Sequence, residues 1–419
     1  MMDGESNEPW LGNVPSKWAI RRIKDIVELK CGDGITSESI TPVGDFPVYG
    51  GNGLRGYTTS FTHEGHYVLI GRQGALCGNI NYAKGKFWAS EHAVVASMIG
   101  KIDTYWLGEL LRDMNLNQYS NAAAQPGLAV DRIKFLRMPV PPLEEQQRIA
   151  AYLDASCAAI DAAVAAKHRQ LETLEAVSNS LIESAVTKGI QSGVRCRRIN
   201  EDWLGEIPEH WDVCKIKRVV SQVDYGISES SEPEGKFPVL KMGNIQSGEI
   251  VFSKMEFVEN VCKDLLLETG DLLYNRTNSP DQVGKAAVFR GSKVDGITFA
   301  SYLVRLRTNH RADPYFMNYL LNSSGFLGFA RKLAIPSVQQ SNLNSTRYCR
   351  MLIPLPPRKE QEAIRAHLDG KLGEMKQVVT GIESQIATLT GYRKSLIHEC
   401  VTGQRRISEA GLNRVRAHG

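Results

Sequence analysis

His63-Glu64-Gly65-His66 is the stretch closest to a metal-binding signature in this 419-residue chain. Its histidines stand three apart between turn residues, whereas a zinc-binding helix needs them four apart on one face. No metal site is expected there. Gly284-Lys285 is followed by Ala286 and lacks the upstream glycine of a phosphate-cradling loop, so no nucleotide-driven motor is implied. Neither Asn-Pro-Pro-aromatic nor Asp-Pro-Pro-aromatic occurs, which removes the usual amino-methyltransferase site, and no Gly-x-Ser-x-Gly is present. The eight cysteines form no Cys-x-x-Cys pair, and none stands at zinc-ligand spacing from a histidine. Free thiols in a reducing compartment are expected, with Cys157 and Cys400 on helix core positions. No catalytic residue is assigned. Silence on catalysis favours a recognition device.

The bulk numbers fit that reading without forcing it. The length suits two to three domains, and 42% hydrophobic with 23% charged residues is ordinary for a globular chain. The formal net charge is only +4. Residues 20–137 hold 13 lysines and arginines against 11 acidic residues, and residues 215–352 hold 18 against 13. Arg405, Arg406, Arg414 and Arg416 make the tail basic. This is a modest pull toward an anionic partner. No stretch is expected to span a bilayer, and Met1-Met2-Asp3-Gly4-Glu5-Ser6 is acidic where a secretion signal is basic, so a cytoplasmic protein with no membrane partner is expected.

The elements that must position any recognition surface are written twice. Trp10-Leu11-Gly12-Asn13-Val14-Pro15-Ser16-Lys17-Trp18 returns as Trp203-Leu204-Gly205-Glu206-Ile207-Pro208-Glu209-His210-Trp211. Pro139 to Asp154 matches Pro354 to Asp369 at nine of sixteen positions without a gap. The same offset of 215 residues carries Ser180-Leu181-Ile182 onto Ser395-Leu396-Ile397 and Val186-Thr187 onto Val401-Thr402. A period this long is a duplicated structural unit, so one chain imitates a two-fold dimer.

Each copy reads as a mixed globular segment followed by one long helix. Short apolar runs (Tyr67-Val68-Leu69-Ile70, Ala93-Val94-Val95-Ala96, Pro238-Val239-Leu240-Lys241-Met242, Ala286-Ala287-Val288-Phe289) are separated by glycine turns and predict strands. Helical patterns occupy 103–115 and 313–332. Pro141-Pro142 and Pro356-Pro357 each mark a helix start, because proline is tolerated in a first turn and disruptive inside. The second long helix carries Leu368, Met375, Ile382, Leu389 and Leu396 at heptad spacing, with Leu372, Val379 and Ile386 between. The first carries Leu153, Ile160, Leu174 and Leu181 with Cys157, Val164 and Leu171; Lys167, Ser178 and Arg393 interrupt the two seams. Such spacing is the coiled-coil signature. About 46 residues make a rod of roughly 65–70 Å. Two rods with matching seams bury each other most cheaply, and their equal length becomes a ruler. The alternative is two amphipathic helices, each packed on its own domain. The fold class expected is α+β: two mixed α/β domains and two long helices in a pseudo-two-fold repeat. The domains are placed at 1–140 and 201–355, and the helices with their linkers at 141–200 and 356–419.

The twice-written Pro-x-Pro-Pro-x-x-Glu-Gln-x-x-Ile, each copy between a variable domain and a long helix, resembles the specificity subunits of type I restriction–modification enzymes. Phe46-Pro47-Val48-Tyr49-Gly50-Gly51-Asn52-Gly53, Val68-Leu69-Ile70-Gly71-Arg72-Gln73-Gly74, Gly78-Asn79-Ile80, Gly270 to Asn278 and Val283-Gly284-Lys285 are similar to that family's target-recognition domains. The resemblance runs from Trp10 to about Arg406. It implies that two target-recognition domains each read one part of a split DNA site, while antiparallel helices set the unread spacer. It also implies partners: two modification (methyltransferase) subunits, and restriction subunits that translocate DNA. S-adenosylmethionine, ATP and Mg are expected on those partners, with no cofactor in this chain. Arginine pairs with guanine, and asparagine or glutamine with adenine, along the major groove. The candidate DNA-binding residues are therefore polar side chains in glycine-rich loops: Asn52, Arg72, Gln73, Lys84 and Lys86, then Lys241, Asn244, Arg276, Asn278 and Lys285. Arg72 and Arg276 occupy matching places after Leu-x-x, which suits a scaffold or phosphate role better than base reading. The tryptophan motifs are expected to pack head on helix. Glu145-Gln146 and Glu360-Gln361 are expected to cap first turns. The competing function is a structural coiled-coil adaptor that binds proteins without DNA sequence specificity.

Overall fold

Both Pro-Pro pairs stand immediately before a long helix, as proline at a first turn permits. The computed structural model describes residues 10–74, 76–120, 127–337 and 340–418, so the acidic Met1–Ser6 stretch lies outside it. The chain divides into two compact units, 1–168 with 383–419, and 169–382.

The first unit's head holds strands β1 (Ala19–Arg22), β2 (Val27–Cys31), β3 (Phe46–Gly50) and β4 (Gly53–Thr58). Strands β5 (His63–Gly71), β6 (Ile80–Ala89) and β7 (Ala93–Met98) follow, then helices α1 (Thr104–Asp113) and α2 (Val130–Ile133). Strand β8 (Arg137–Val140) leads into helix α3 (Leu143–Lys188). Six strands form one sheet in the order β2-β7-β5-β6-β3-β4. The stretches Val68–Gly71 of β5 and Ala93–Ala96 of β7 are buried at every position because both faces are covered there. Val68, Ile70, Val94 and Ala96 pack with Trp106, Leu107, Leu110 and Leu111 of α1. Leu69 and Val95 pack on the other side with Ala83, Phe87 and Ala89. β1 pairs antiparallel with β8 and brings the two ends of the head together.

The second unit holds β9 (Cys196–Arg198), β10 (Glu206–Pro208), β11 (Asp212–Lys215) and β12 (Val220–Tyr225). Next come β13 (Phe237–Leu240), β14 (Ile245–Gln246), β15 (Glu249–Ile250), β16 (Glu256–Val258), β17 (Leu272–Asn275) and β18 (Thr277–Asn278). β19 (Ala286–Val288), β20 (Thr298–Phe299) and β21 (Leu303–Thr308) complete the sheets, followed by α4 (Pro314–Asn322) and α5 (Ser324–Leu333). β22 (Ile335–Ser337), β23 (Gln340–Asn342), α6 (Ser345–Arg350) and β24 (Leu352–Leu355) precede α7 (Arg358–Val401). The tail forms α8 (Glu409–His418) in the first unit.

The order β12-β21-β17-β19 repeats β2-β7-β5-β6. β13 pairs antiparallel with β16 and parallel with β20, as β3 pairs with β4 and β6. The ten-residue β6 is therefore represented by two short strands, β19 and β20, with the chain leaving the sheet between them. The helix predicted over 313–332 is two helices. Ser323 adopts an extended conformation between them, and the Asn322 side-chain amide donates to the Ala286 carbonyl at 2.9 Å and accepts from the Ala286 N–H at 3.1 Å.

Within the first unit, Leu153, Cys157 and Ile160 of α3 pack with Leu396, Ile397, Cys400 and Val401 of α7. Within the second, Ala185 and Val186 from the end of α3 pack with Ile364 and Leu368 from the start of α7. The helices therefore run antiparallel in both units. The seam breakers are accommodated locally: Ser178 donates to the Leu174 carbonyl at 2.8 Å, and Arg393 pairs with Asp161 at 3.0 Å. One expectation is corrected. α3 is long and apolar enough to cross a membrane by length and composition. That apolarity is largely alanine, and its Leu153, Cys157 and Ile160 are buried in the first unit's core.

The repeated Glu-Gln has a duty other than helix capping. The Trp18 indole donates to Glu145 at 3.0 Å and the Trp211 indole to Glu360 at 3.0 Å. Buried Gln146 accepts from the Asp103 backbone N–H at 2.9 Å and donates to the Pro141 carbonyl at 2.9 Å. Gln361 accepts from the Asp313 N–H at 2.7 Å and donates to the Pro356 and Arg311 carbonyls at 2.8 and 2.9 Å. Asp103 and Asp313 are the N-caps of α1 and α4. The motif thus locks each head onto the start of the helix that follows it.

Candidate nucleic-acid interface

In the first head a loop leaves β5 at Gly71 and enters β6 at Ile80. Arg72 begins it. Its N–H donates to the His92 carbonyl at 2.9 Å, and its own carbonyl accepts from Leu128 N–H at 2.8 Å. The Gly51-Asn52 turn lies against this loop: a Cβ on Gly71 would meet the Gly51 carbonyl oxygen at 2.2 Å, so only glycine fits. Asn79 donates to the Asn52 side chain at 3.1 Å. Asn52, Arg72 and Gln73 are therefore brought together, with Asn52 and Gln73 exposed and Arg72 half-buried. Lys84 and Lys86 are not part of this cluster. They pair with His66 and Glu64 further along β6, roughly 13 and 20 Å from Ile80 at strand spacing. Lys86 is also 4.0 Å from Glu64 and stands over the Phe61 ring.

The second head builds the same corner from different side chains. Arg276 N–H donates to the Tyr302 carbonyl at 3.0 Å, and its carbonyl accepts from Leu343 N–H at 2.8 Å. Leu343 stands 215 residues after Leu128, the offset of the repeat. Gly78 N–H bonds the Gly71 carbonyl at 2.7 Å, and Gly284 N–H bonds the Asn275 carbonyl at 2.9 Å. Both glycines sit at a left-handed φ, +83° and +84°. Beneath the loop, Tyr274 and Tyr348 stack with ring centroids 3.9 Å apart. Their hydroxyls donate to Leu343 and Gly284 carbonyls at 3.4 Å, and burial pushes both phenols well above their ordinary range. The floor is rigid, which suits a recognition loop.

Arg276, Asn278 and Lys285 meet at this corner, all half-buried. Asn278 accepts from Ser279 N–H at 2.8 Å. Lys241 stands nearby, after Leu240, but its ammonium is paired with Glu256. Lys241 and then the Ser231 hydroxyl hold that carboxyl below its usual range. Asn244 is corrected: it is buried, accepts from Lys241 N–H at 2.8 Å, and donates to the Val251 and Ser253 carbonyls at 2.8 and 3.1 Å. Its amide is spent holding the loop and has nothing left for a base.

Three residues at the second corner were not singled out from sequence. Tyr225 and Tyr302 are exposed, and the Arg276 guanidinium lies 5.0 Å from the Tyr225 ring centre. Asn275 is 1% exposed with both amide atoms unpartnered. Tyr225 precedes Gly226 as Cys31 precedes Gly32, and at both glycines a Cβ would strike a carbonyl oxygen at 2.2 Å. Aligning those glycines would have marked the tyrosine. His63 and His66 fall on opposite faces of β5, and His63 stacks on Phe87 with its Nδ1 2.7 Å from the Thr62 hydroxyl. Among the described residues, no group of three His, Cys, Asp or Glu side chains is placed to hold a metal ion.

Residues 15–175 match the sequence profile of the Type I restriction modification DNA specificity domain. The chain is 44% identical over 138 residues to the Type I restriction enzyme EcoprrI specificity subunit of Escherichia coli, a match covering 32% of this chain and 34% of that relative. It thus spans about a third of that relative's length. A second relative, the Type I restriction enzyme MjaVIII specificity subunit of Methanocaldococcus jannaschii, is 23% identical over 415 residues, with 94% of each chain covered. A solved chain titled as part of complex assembly and conformational transition of the type I R-M system superposes with a TM-score of 0.71. That match is 16% identical and covers 93% of this chain and 98% of that one, a likeness of fold.

Proposed function

The chain belongs to the family of type I restriction–modification DNA specificity subunits, and on that premise we propose that it reads a bipartite DNA sequence for a methylation and restriction complex. One observation carries this reading. The two heads repeat one strand order and one loop, down to the backbone partners of Arg72 and Arg276, while the side chains around those arginines differ. A repeated frame with unlike surfaces is what two unlike half-sites call for. Each head, within 1–140 and 201–355, reads one half-site, and the helices of 46 and 44 residues set the unread spacer. Backbone contacts place each head on the duplex and base-edge contacts choose the sequence.

Catalysis belongs to the partners. Two methyltransferase subunits bring S-adenosylmethionine, and restriction subunits bring ATP and Mg to the assembly in the cytoplasm. The low net charge of +4 fits a subunit whose partners supply part of the basic surface. The comparisons lend no support to the adaptor alternative. The test is methylome sequencing of cells that make this chain with its methyltransferase. Exchanging residues 20–137 for the head of another such subunit is expected to change one half of the methylated motif only. A change in both halves, or in neither, sinks the modular reading.

A further inference from the structure

We propose that Arg72 and Arg276 are the same device in two copies, a sequence-independent anchor that grips a DNA backbone phosphate and sets the register of its head. This rests on the DNA-reading function proposed above and divides the site into a common part and a variable part.

The common part is the arginine and the backbone that fixes it. In each head its N–H and carbonyl are bonded to equivalent neighbours, His92 and Leu128 in one, Tyr302 and Leu343 in the other. Everything around it changes. Gly71 becomes Asn275, Asn79 becomes Lys285, Cys31 becomes Tyr225 and His92 becomes Tyr302. An arginine that read guanine from this fixed place would impose one base on both half-sites. A phosphate contact imposes nothing, and lets the neighbours differ as the sequence read requires.

The guanidinium groups are also left without the partners this protein gives its structural arginines. Arg305 is fully buried and pairs with Asp224 at 2.6 Å and Asp271 at 3.6 Å; Arg307 pairs with Asp271 at 2.7 Å. Among the described residues, Arg72 has no side-chain hydrogen bond or ion pair, and Arg276 has only the Tyr225 ring, with its Nε buried and unpartnered. Planar donors held by a rigid backbone and lacking a carboxylate suit a tetrahedral oxyanion, which they bind with charge-assisted hydrogen bonds.

The experiment measures binding of the full chain, with its methyltransferase partner, to two duplexes across a salt series. One duplex carries the methylated motif and the other is of mixed sequence. Arg72→Ala and Arg276→Ala are each expected to weaken both duplexes by a similar factor, about 10- to 100-fold. Each should also flatten the dependence of log affinity on log salt by about one, and the methylated motif should stay unaltered. Arg72→Lys and Arg276→Lys, which keep a point charge, should retain the wild-type salt slope. Relaxation of one base position, weakening of the specific duplex alone, or an unchanged salt slope overturns the anchor while leaving the DNA-reading function standing. A wild-type complex that methylates no bipartite site removes that function, and the anchor with it.

Discussion

Replacing Gln361 with alanine tests the lock between the second head and its helix. Gln361 is fully buried and serves three backbone groups: the Asp313 N–H, the Pro356 carbonyl and the Arg311 carbonyl. Each group stranded away from water costs about 1–3 kcal/mol. Three of them come to roughly 3–6 kcal/mol, allowing for partial repair by water. Gln146 serves two, the Asp103 N–H and the Pro141 carbonyl, so Gln146→Ala is expected to cost roughly 2–4 kcal/mol. The loss should be local, because Asp313 and Asp103 are the N-caps of α4 and α1. Hydrogen exchange read by mass spectrometry separates the two. At 1.4 kcal/mol per factor of ten, Gln361→Ala should speed exchange across α4 by roughly 140- to 20,000-fold. Gln146→Ala should speed α1 by roughly 30- to 700-fold, each leaving the other helix near wild type. Exposed Lys359→Ala, two residues away, serves as the control and should change little. If Gln361→Ala leaves α4 within about threefold of wild type, or loosens α1 equally, the reasoning from stranded backbone groups fails.

Thiol labelling at pH 8 should divide the cysteines by environment. Cys31, Cys196 and Cys262 are exposed and should label first, whereas burial pushes the Cys157 and Cys349 thiols up to about 11 and the Cys400 thiol to about 12. Cys157, Cys349 and Cys400 expose thiolate only as pH climbs toward those values, so prompt labelling of any of them on intact protein contradicts the packing. Gly78→Ala should destabilise more than Gly284→Ala, as read by urea denaturation. Both positions have a left-handed φ, costing about 1 kcal/mol for alanine, but at Gly78 the new Cβ would also lie 2.5 Å from the Asn117 backbone nitrogen. At Gly284 the nearest atom is 3.4 Å away, and equal losses would refute the clash. Arg305→Ala strands Asp224, leaves buried Asp271 to Arg307 alone, and should cost about 3–5 kcal/mol in the second unit, visible as a lowered melting transition. A loss below about 1 kcal/mol would mean that the pair is solvated after all.

Much of the architecture is written in local pattern. The offset of 215 residues declares the duplication, the Pro-Pro pairs declare where α3 and α7 begin, and the heptad seam declares which faces they bury. Those features follow from proline's fixed φ and from a helical period, and both act over a few residues. The continuous apolar runs of β5 and β7 likewise announced strands, and the tertiary packing covers both of their faces.

What the repeated Glu-Gln does could not be reached that way. Gln146 and Gln361 meet their N-cap partners across 43 and 48 residues, and Glu145 and Glu360 meet their tryptophans across 127 and 149. Capping was the local reading, and folding replaced it with a clasp. The candidate site divides in the same manner. Glycine-rich loops marked Arg72 and Arg276, yet only strand pairing revealed that both are held by the same backbone bonds, that Tyr225 and Tyr302 flank one of them, and that Asn244 is spent inside its own loop. Sheet register joins residues far apart in the chain, where no local period records the pairing, so the company a side chain keeps is settled by the tertiary fold.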